Sequence, residues 1–425
     1  MGRLIFLLFL ALIFIGLDIY TYHGMHSIMG YGRFSRAFKY VYWGISIFTY
    51  VSIFQIFFYF LSTQGQHRTE YFNFISGFIF TVLVTKLVFS ALMIFQDGGR
   101  LIVGSMRYLK YSFLAPDTTQ TVFIPERREF LTTFSSIAAG IPFFGMLYGI
   151  TKGKYQYTVQ KVVLTFKDLP NAFDGFKIVQ ISDIHAGSFD NKEKVRLGIE
   201  KINALNPDLV CFTGDLVNAE KDEIDPYIDI FSEIKSSYGK FAILGNHDYY
   251  GSYDRNNPAA EQSYFEDFFS KFKKMGFDLL NNENRTIVKS GQYISLLGVE
   301  NWGAGHWFPK RGDLDKATSG LSEDGFKILM SHDPTHWDEK VIHHDRHVHL
   351  TLSGHTHGFQ FGFQLPGFQW SPAQYRYPKW LGLYGDNDRF LYVNRGFGFL
   401  GFPGRVGMWP EITLIELRSG QESTI

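Results

Sequence analysis

The sequence predicts an α/β domain over residues 151–425, preceded by a bundle of four membrane-spanning helices over residues 1–150. Three observations carry that prediction. Four apolar stretches of bilayer length precede Thr151. After Thr151 the composition turns to short β-branched runs interleaved with helical spacing. Five of those runs then stop at Asp, Asn or His, so that polar groups collect at the same end of each predicted strand.

The apolar stretches are Leu4–Tyr22, Tyr40–Leu61, Phe72–Phe95 and Phe130–Ile150. Each is close to the roughly 20 residues that a helix needs to cross the hydrocarbon core. Because three more follow it, the first is not read as a cleaved signal peptide. Gly140 and Pro142 lie in the fourth, where a spanning helix tolerates them. Arg33, Arg36 and Lys39 occupy the first connection, Arg68 the second, and Arg100, Arg107, Lys110, Arg127 and Arg128 the third. Basic loops stay in the cytoplasm, so the multi-pass chain is expected to place both its ends, and its C-terminal domain, on the extracytoplasmic side. The run from Arg127 to Leu131 also resembles a twin-arginine export signal, whereas Lys152 and Lys154 pull the other way. Asp18 and Lys86 fall inside the first and third stretches at similar depth, on the order of 20 Å from entry. Charges there either find partners or snorkel toward the interface.

The 41 basic and 41 acidic residues cancel, which gives no support for a nucleic-acid partner. The single cysteine, Cys211, excludes an internal disulfide framework and a cysteine zinc cluster, and its apolar run makes it a core residue.

In the C-terminal domain, Lys192–Leu205, Ile224–Ile234 and Ala259–Met275 are predicted helices, and Arg285–Lys289 and Tyr293–Val299 predicted strands. The five polar-ended runs are the organising feature. Lys177–Ser182 stops at Asp183-Ile184-His185, Asp208–Thr213 at Gly214-Asp215, and Phe241–Leu244 at Gly245-Asn246-His247-Asp248. Phe326–Met330 stops at Ser331-His332-Asp333, and the run ending at Ser353 stops at Gly354-His355-Thr356-His357-Gly358. The carboxyl ends of strands in α/β sheets are where sites form. If the backbone stays extended, His355 and His357 point to one side.

In this order, these five segments resemble the calcineurin-like metallophosphoesterase family, in its membrane-anchored branch, over roughly residues 155–417. The resemblance implies a β-sandwich flanked by helices and a binuclear site that hydrolyses a phosphoester by attack of a metal-bound hydroxide. It also implies that Asp183, His185 and His357 hold one ion, that Asn246, His332 and His355 hold the other, and that Asp215 bridges both. Two ions about 3.5–4 Å apart neutralise the phosphate oxygens and acidify water. Carboxylate, amide and imidazole ligands suit divalent Mn, Fe or Zn. His247 matches the residue that contacts the phosphate and protonates the leaving group, a role that suits imidazole. Asp248 is expected to cap a helix or to support a ligand as readily as to act in catalysis.

Arg395, in Asn394-Arg395-Gly396, and Arg405, in Pro403-Gly404-Arg405, resemble the family's C-terminal signature. They are candidate phosphate contacts, with a structural turn as the other reading. His306, in the Gly- and Trp-rich loop from Asn301 to Pro309, is a further candidate for the pocket wall. The histidine-rich run at His343, His344, His347 and His349 is expected to be a solvated edge. Gly396–Gly401 matches a dinucleotide fingerprint, but Pro403 and Pro410 leave no room for the helix that the motif requires. Phe359 stands where membrane-associated members often carry glycine, which alters the rim without touching a ligand.

Residues 359–384 hold nine aromatics: Phe359, Phe361, Phe363, Phe368, Trp370, Tyr375, Tyr377, Trp380 and Tyr384, with Arg376 and Lys379 among them. Such a loop is expected to form an apolar lip through which a lipid headgroup phosphate reaches the metals. The expected function is therefore a membrane-bound, metal-dependent hydrolase of a phosphodiester or phosphoanhydride, with a lipid as the favoured substrate. The alternatives are a nucleotide or other small-molecule phosphodiesterase and a non-catalytic membrane scaffold. Loss of ligands would mark the scaffold, and no ligand position is lost.

Overall fold

Residues 2–27, 33–63, 69–114, 125–306 and 308–420 are described in a computed structural model of the chain. It divides into two compact units, Met1–Gln66 with Phe74–Tyr148, and His67–Asn73 with Gly149–Ile425.

The N-terminal part forms four helices, α1 (Gly2–His26), α2 (Arg33–Thr63), α3 (Glu70–Leu114) and α4 (Pro125–Thr151). A helix satisfies its backbone polar groups within one segment, which an apolar solvent requires. Among the described residues, Arg33–Tyr59, Tyr71–Met106 and Phe130–Thr151 are long and apolar enough to cross a membrane. The remaining expected span, Leu4–Tyr22, lies on α1, whose side chains are described from Ile13 onward. With 45 residues, α3 is about 68 Å long at 1.5 Å per residue, so it outruns the stretch expected to span. Arg100, Arg107 and Lys110, expected in a connecting loop, thus lie on its continuation. Arg127 and Arg128 fall in the first turns of α4, and their side chains lie outside the described residues.

Asp18 and Lys86 are both buried and pair with each other. Lys86 Nζ also donates to Ser46 Oγ at 2.9 Å. The Asp18 carboxylate accepts from Tyr42 at 2.8 Å, Ser46 at 3.1 Å and Tyr50 at 2.6 Å. Of the two fates open to these charges, the bundle shows partnering. A lone charge at that depth is costly, and a pair whose remaining lone pairs are hydrogen-bonded removes most of the penalty.

In the second unit the elements follow as β1 (Thr158–Phe166), β2 (Phe176–Ile181), α5 (Lys192–Ala204), β3 (Leu209–Phe212), α6 (Ile228–Ser232), β4 (Lys240–Ala242), α7 (Pro258–Lys274) and β5 (Asp278–Leu279). Then come β6 (Glu283–Lys289), β7 (Gln292–Gly298), α8 (Leu314–Thr318), β8 (Lys327–Met330), α9 (Thr335–Glu339) and β9 (Leu350–Ser353). The chain closes with β10 (Phe363–Leu365), β11 (Phe368–Trp370), β12 (Gly382–Asp386), β13 (Arg389–Val393) and β14 (Glu411–Ser419). Two six-stranded sheets result, ordered β1-β14-β2-β3-β4-β5 and β12-β13-β9-β8-β7-β6, and β10 pairs only with β11.

The period-2 alternation of buried strands decides how the sheets pack. On β2 and β3, Ile178, Leu209 and Cys211 face the second sheet, where they meet Leu296, Ile328 and Leu350. The alternate residues Val179, Ile181, Val210 and Phe212 face outward onto α5 and α7, against Ile199, Ile202, Phe268 and Phe272. A third cluster, with Leu297, Leu329 and Leu391 around Trp337, covers the other outer face. This is the expected β-sandwich with helices on its flanks. Cys211 is a fully buried core thiol. The predicted helix over Ile224–Ile234 divides into a 3₁₀ segment, Lys221–Tyr227, and the short α6, because Pro226 withholds a backbone N–H. Nor is the histidine-rich run simply a solvated edge: His349 is buried, stacked on Phe326 at a centroid distance of 4.3 Å.

Strands β2, β3 and β4 are parallel neighbours in one sheet, as are β8 and β9 in the other. Their carboxyl ends lie side by side across the sandwich. Gln180 Nε2 donates to Ser353 O at 2.8 Å, and His355 N donates to the Asp183 carboxylate at 3.0 Å.

Candidate metal centre

Just past these strand ends the backbone turns sharply. Asp183, His185, Asp215, His355 and His357 all have φ between 48° and 71°. The left-handed region is strained for residues with a side chain, and a fold keeps such positions only where its surroundings over-determine them. They correct the expectation that His355 and His357 share a side through an extended backbone. Strand β9 ends at Ser353, and the two imidazoles diverge toward different partners.

Asp183, His185, Asp215 and His357 each bring one ligand atom into a group within 4.8 Å of one another, and Asp215, His332 and His355 form a second such group. The two groups share Asp215. In the first, His357 Nε2 stands 3.0 Å from His185 Nε2 and 3.1 Å from Asp183 Oδ1. In the second, His332 Nε2 lies 3.2 Å from Asp215 Oδ2 and 3.3 Å from His355 Nδ1. Asn246, the remaining expected ligand, lies in the next loop, where the N–H of the adjacent His247 donates to Asp215 Oδ1 at 2.8 Å.

Outer partners fix the tautomers. His332 Nδ1–H donates to Thr213 O at 2.7 Å, which turns Nε2 inward as a lone pair. With His355 Nδ1 turned toward His332, its Nε2 shares a hydrogen bond of 2.9 Å with the Tyr377 hydroxyl. Asp248, fully buried, accepts backbone N–H groups from Asp215 and Gly245 on one oxygen and from Leu216 and Val217 on the other. It ties the Asp215 and Asn246 loops together, a supporting role rather than a reacting one.

Electrostatics favour a cation. Burial alone would raise the Asp183 carboxyl, but the His357 imidazole against it holds it below its usual range. Asp215 is likewise held down, its burial outweighed by His332. Burial lowers His185 and His355, keeping both neutral with lone pairs available. His332 is the exception: burial would lower it, yet the Asp215 carboxylate lifts it to about 10. The donor set fits divalent metal in a further way. The buried Asn246 Oδ1 has no hydrogen-bond partner, which a buried amide oxygen rarely tolerates unless something else coordinates it.

His247 sits beside both groups, its ring 4.9 Å from that of His185. Its Nδ1–H donates to Asn218 O at 2.7 Å, leaving Nε2 free. The arginines fall elsewhere than expected. Arg395 is buried and bound to Glu411 at 2.6 Å, and Arg405 is fully buried on the carbonyls of Gly398, Arg395 and Met408 and on His357 Nδ1. Both guanidiniums are satisfied by protein groups, so the structural-turn reading holds and Arg405 braces a ligand histidine. His306 is exposed in its loop and does not join either group, whereas nearby Phe308 sets its ring centroid 5.0 Å from that of His355. Sequence reasoning missed Tyr377 and Phe308 as neighbours of His355. The only signal was their place in loops rich in aromatics.

The expected lip divides. Phe359, Phe363, Phe368 and Tyr375 are exposed, Phe361, Trp370 and Tyr384 are half-buried, and Tyr377 and Trp380 belong to a small core cluster with Met408.

Comparison with known proteins agrees with this geometry. Residues 176–359 match the calcineurin-like phosphoesterase family model. Residues 2–154 match a model described as a probable calcineurin-like phosphoesterase, transmembrane domain. The metallophosphoesterase YkuE of Bacillus subtilis is 32% identical over 69% of this chain and 98% of its own length. Phosphodiesterase YaeI of Escherichia coli is 28% identical over 68% of this chain and 98% of its own. A transmembrane protein with metallophosphoesterase domain from Danio rerio is 28% identical over 64% of this chain, but over only 60% of its own length. With a relative of that identity matched almost end to end, and with the motif residues gathered at one sheet edge, the chain belongs to the calcineurin-like metallophosphoesterases, metal-dependent hydrolases, and carries a transmembrane domain ahead of the catalytic one.

Proposed function

We propose that this enzyme uses two divalent ions, from among Mn, Fe and Zn, to hydrolyse a phosphodiester or phosphoanhydride on a lipid headgroup. Asp183, His185 and His357 would hold one ion, Asn246, His332 and His355 the other, and Asp215 would serve both, a division supported by the two groups that share Asp215. When bound, such ions neutralise phosphate charge and make water nucleophilic near neutral pH. The chain's own residues do the rest. Asp248 and Arg405 hold the ligand loops in their strained turns. His247, its Nδ1–H fixed on Asn218 O, presents Nε2 to the departing oxygen and, in its imidazolium form, gives up the Nε2 proton to it, leaving the ring neutral.

The observation that carries the lipid reading is the exposed Phe359, two residues beyond His357 and 6.3 Å from the Tyr377 ring, which itself contacts His355. An exposed aromatic that near the ligands offers apolar contact to a chain attached to the phosphate. On one phosphodiester headgroup, the parent enzyme is expected to prefer long acyl chains to short ones. Phe359→Ala should raise KM about tenfold for the long-chain substrate, the loss of one buried aromatic, and leave the short-chain KM nearly unchanged. Equal effects, or no chain-length preference in the parent, would favour a small soluble phosphodiester instead.

The basic residues of the first and third connections support an extracytoplasmic catalytic domain. Reporter fusions after Ile150 should then read outside the cytoplasm, and fusions between α3 and α4 inside. The opposite pattern would point to substrates made on the cytoplasmic face, such as a nucleotide-linked lipid.

A further inference from the structure

Strands β10 and β11 form a hairpin closed by Pro366-Gly367, where Gly367 has a φ of 78° that favours glycine. Its register sets Phe363 opposite Trp370 and Leu365 opposite Phe368, so all four share one face, with Gln364 and Gln369 on the other. The Phe363 ring lies 5.7 Å from both Trp370 and Phe368. The apolar face is uncovered: Phe363 is 44% exposed, Leu365 61% and Phe368 57%. Gln364 and Gln369 on the other face are exposed as well, and Gln364 is tethered. Gln364 Oε1 accepts from the buried Arg395 at 2.7 Å, and Arg395 is anchored on Glu411. The apolar face thus packs on nothing among the described residues of the domain, and a two-stranded hairpin with no packed face is marginal in water.

Within the second unit, the hairpin's root is hydrogen-bonded to the residues where α4 ends. Gly362 N–H donates to Val406 O at 3.0 Å, Val406 N–H to Gln360 O at 2.8 Å, and the adjacent Arg405 N–H to Gly149 O at 3.3 Å. Gly149 lies in this same compact unit, at the end of α4, whose Phe130–Thr151 stretch is long and apolar enough to cross a bilayer. Gly407, with φ 72°, allows the close pass of the Gly362 carbonyl that this junction needs. Beside the hairpin, Trp370 Nε1 faces the exposed Tyr375 hydroxyl, and exposed Arg376 follows. Tryptophan, tyrosine and a nearby cation are the side chains that settle at a membrane–water boundary.

We propose that the Phe363–Trp370 hairpin inserts its apolar face into the headgroup–acyl boundary of the bilayer that the chain itself spans. The hairpin thereby makes a second membrane contact for the catalytic domain, independent of α4. This does not require the substrate to be a lipid, so it stands or falls separately from the chain-length assay above.

The test uses the full chain in vesicles of phosphatidylcholine and phosphatidylglycerol. Cys211 is buried, so a thiol introduced by Leu365→Cys is the one that takes an environment-sensitive fluorophore. Val288→Cys, at an exposed position on β6, an edge strand of the second sheet, is the comparison. The label at position 365 should emit to the blue and be quenched several-fold more by doxyl-labelled lipid than the label at 288, with the reverse order for aqueous iodide. Equal iodide quenching at both positions would overturn the proposal. Protection of position 365 from both quenchers would also overturn it, because a second protein surface would then cover the face. Both substituted residues are exposed and carry no core contact that folding depends on.

Discussion

Replacing His247 with alanine is expected to lower kcat by about 10²–10⁴-fold, the usual contribution of a positioned general acid, while the metal content of the enzyme stays unchanged. The structure separates the two outcomes. The tie between His247 and the metal centre runs through its backbone N–H to Asp215 Oδ1 at 2.8 Å, which alanine keeps. The side chain lost is the imidazole held by Asn218 O. Substrates whose leaving group needs no proton should therefore suffer least. An equal loss on every substrate would assign His247 to positioning, and a loss of metal would make it a ligand.

Asp215→Asn should lower both activity and metal content. The carboxylate is the one group common to both ligand clusters, with Oδ2 at 3.5 Å from His185 Nε2 and 3.2 Å from His332 Nε2. An amide of the same size keeps the packing and the acceptor for His247 N–H but removes the charge and one of the two ligand oxygens. Disturbing even an outer partner of a metal ligand costs roughly 10–100-fold, so losing a shared ligand should exceed the upper end of that range in activity. The ion content should fall below that of the parent enzyme.

The site was legible because its chemistry sits at strand ends, where short buried runs and polar stops coincide. All five runs became strands, and six of the seven ligand candidates gather in two groups that share Asp215, with Asn246 next to His247, whose N–H binds Asp215. The conformations that make the ligands converge were not legible. Left-handed turns at Asp183 or His357 are imposed by tertiary contacts such as the Arg405–His357 brace, not by local preference. The same limit explains the arginines. Asn394-Arg395-Gly396 reads identically whether the guanidinium faces substrate or folds inward, and the deciding partner, Glu411, lies in β14. That strand was itself missed, since it exists by pairing with β1, Thr158 opposite Glu411, at the far end of the domain's sequence. The aromatic loop divided for a related reason: composition shows that residues 359–384 are apolar, but only packing shows that Trp380 is core and Phe368 is surface.

The most direct test of the account is a metal titration of the chelated parent enzyme, with bound ions counted and hydrolysis measured at each addition. The two clusters joined by Asp215 predict no activity without metal, uptake of two divalent ions per chain, and recovery of turnover as the second is bound. Full activity in the chelated protein, or full activity at a single ion, would contradict it.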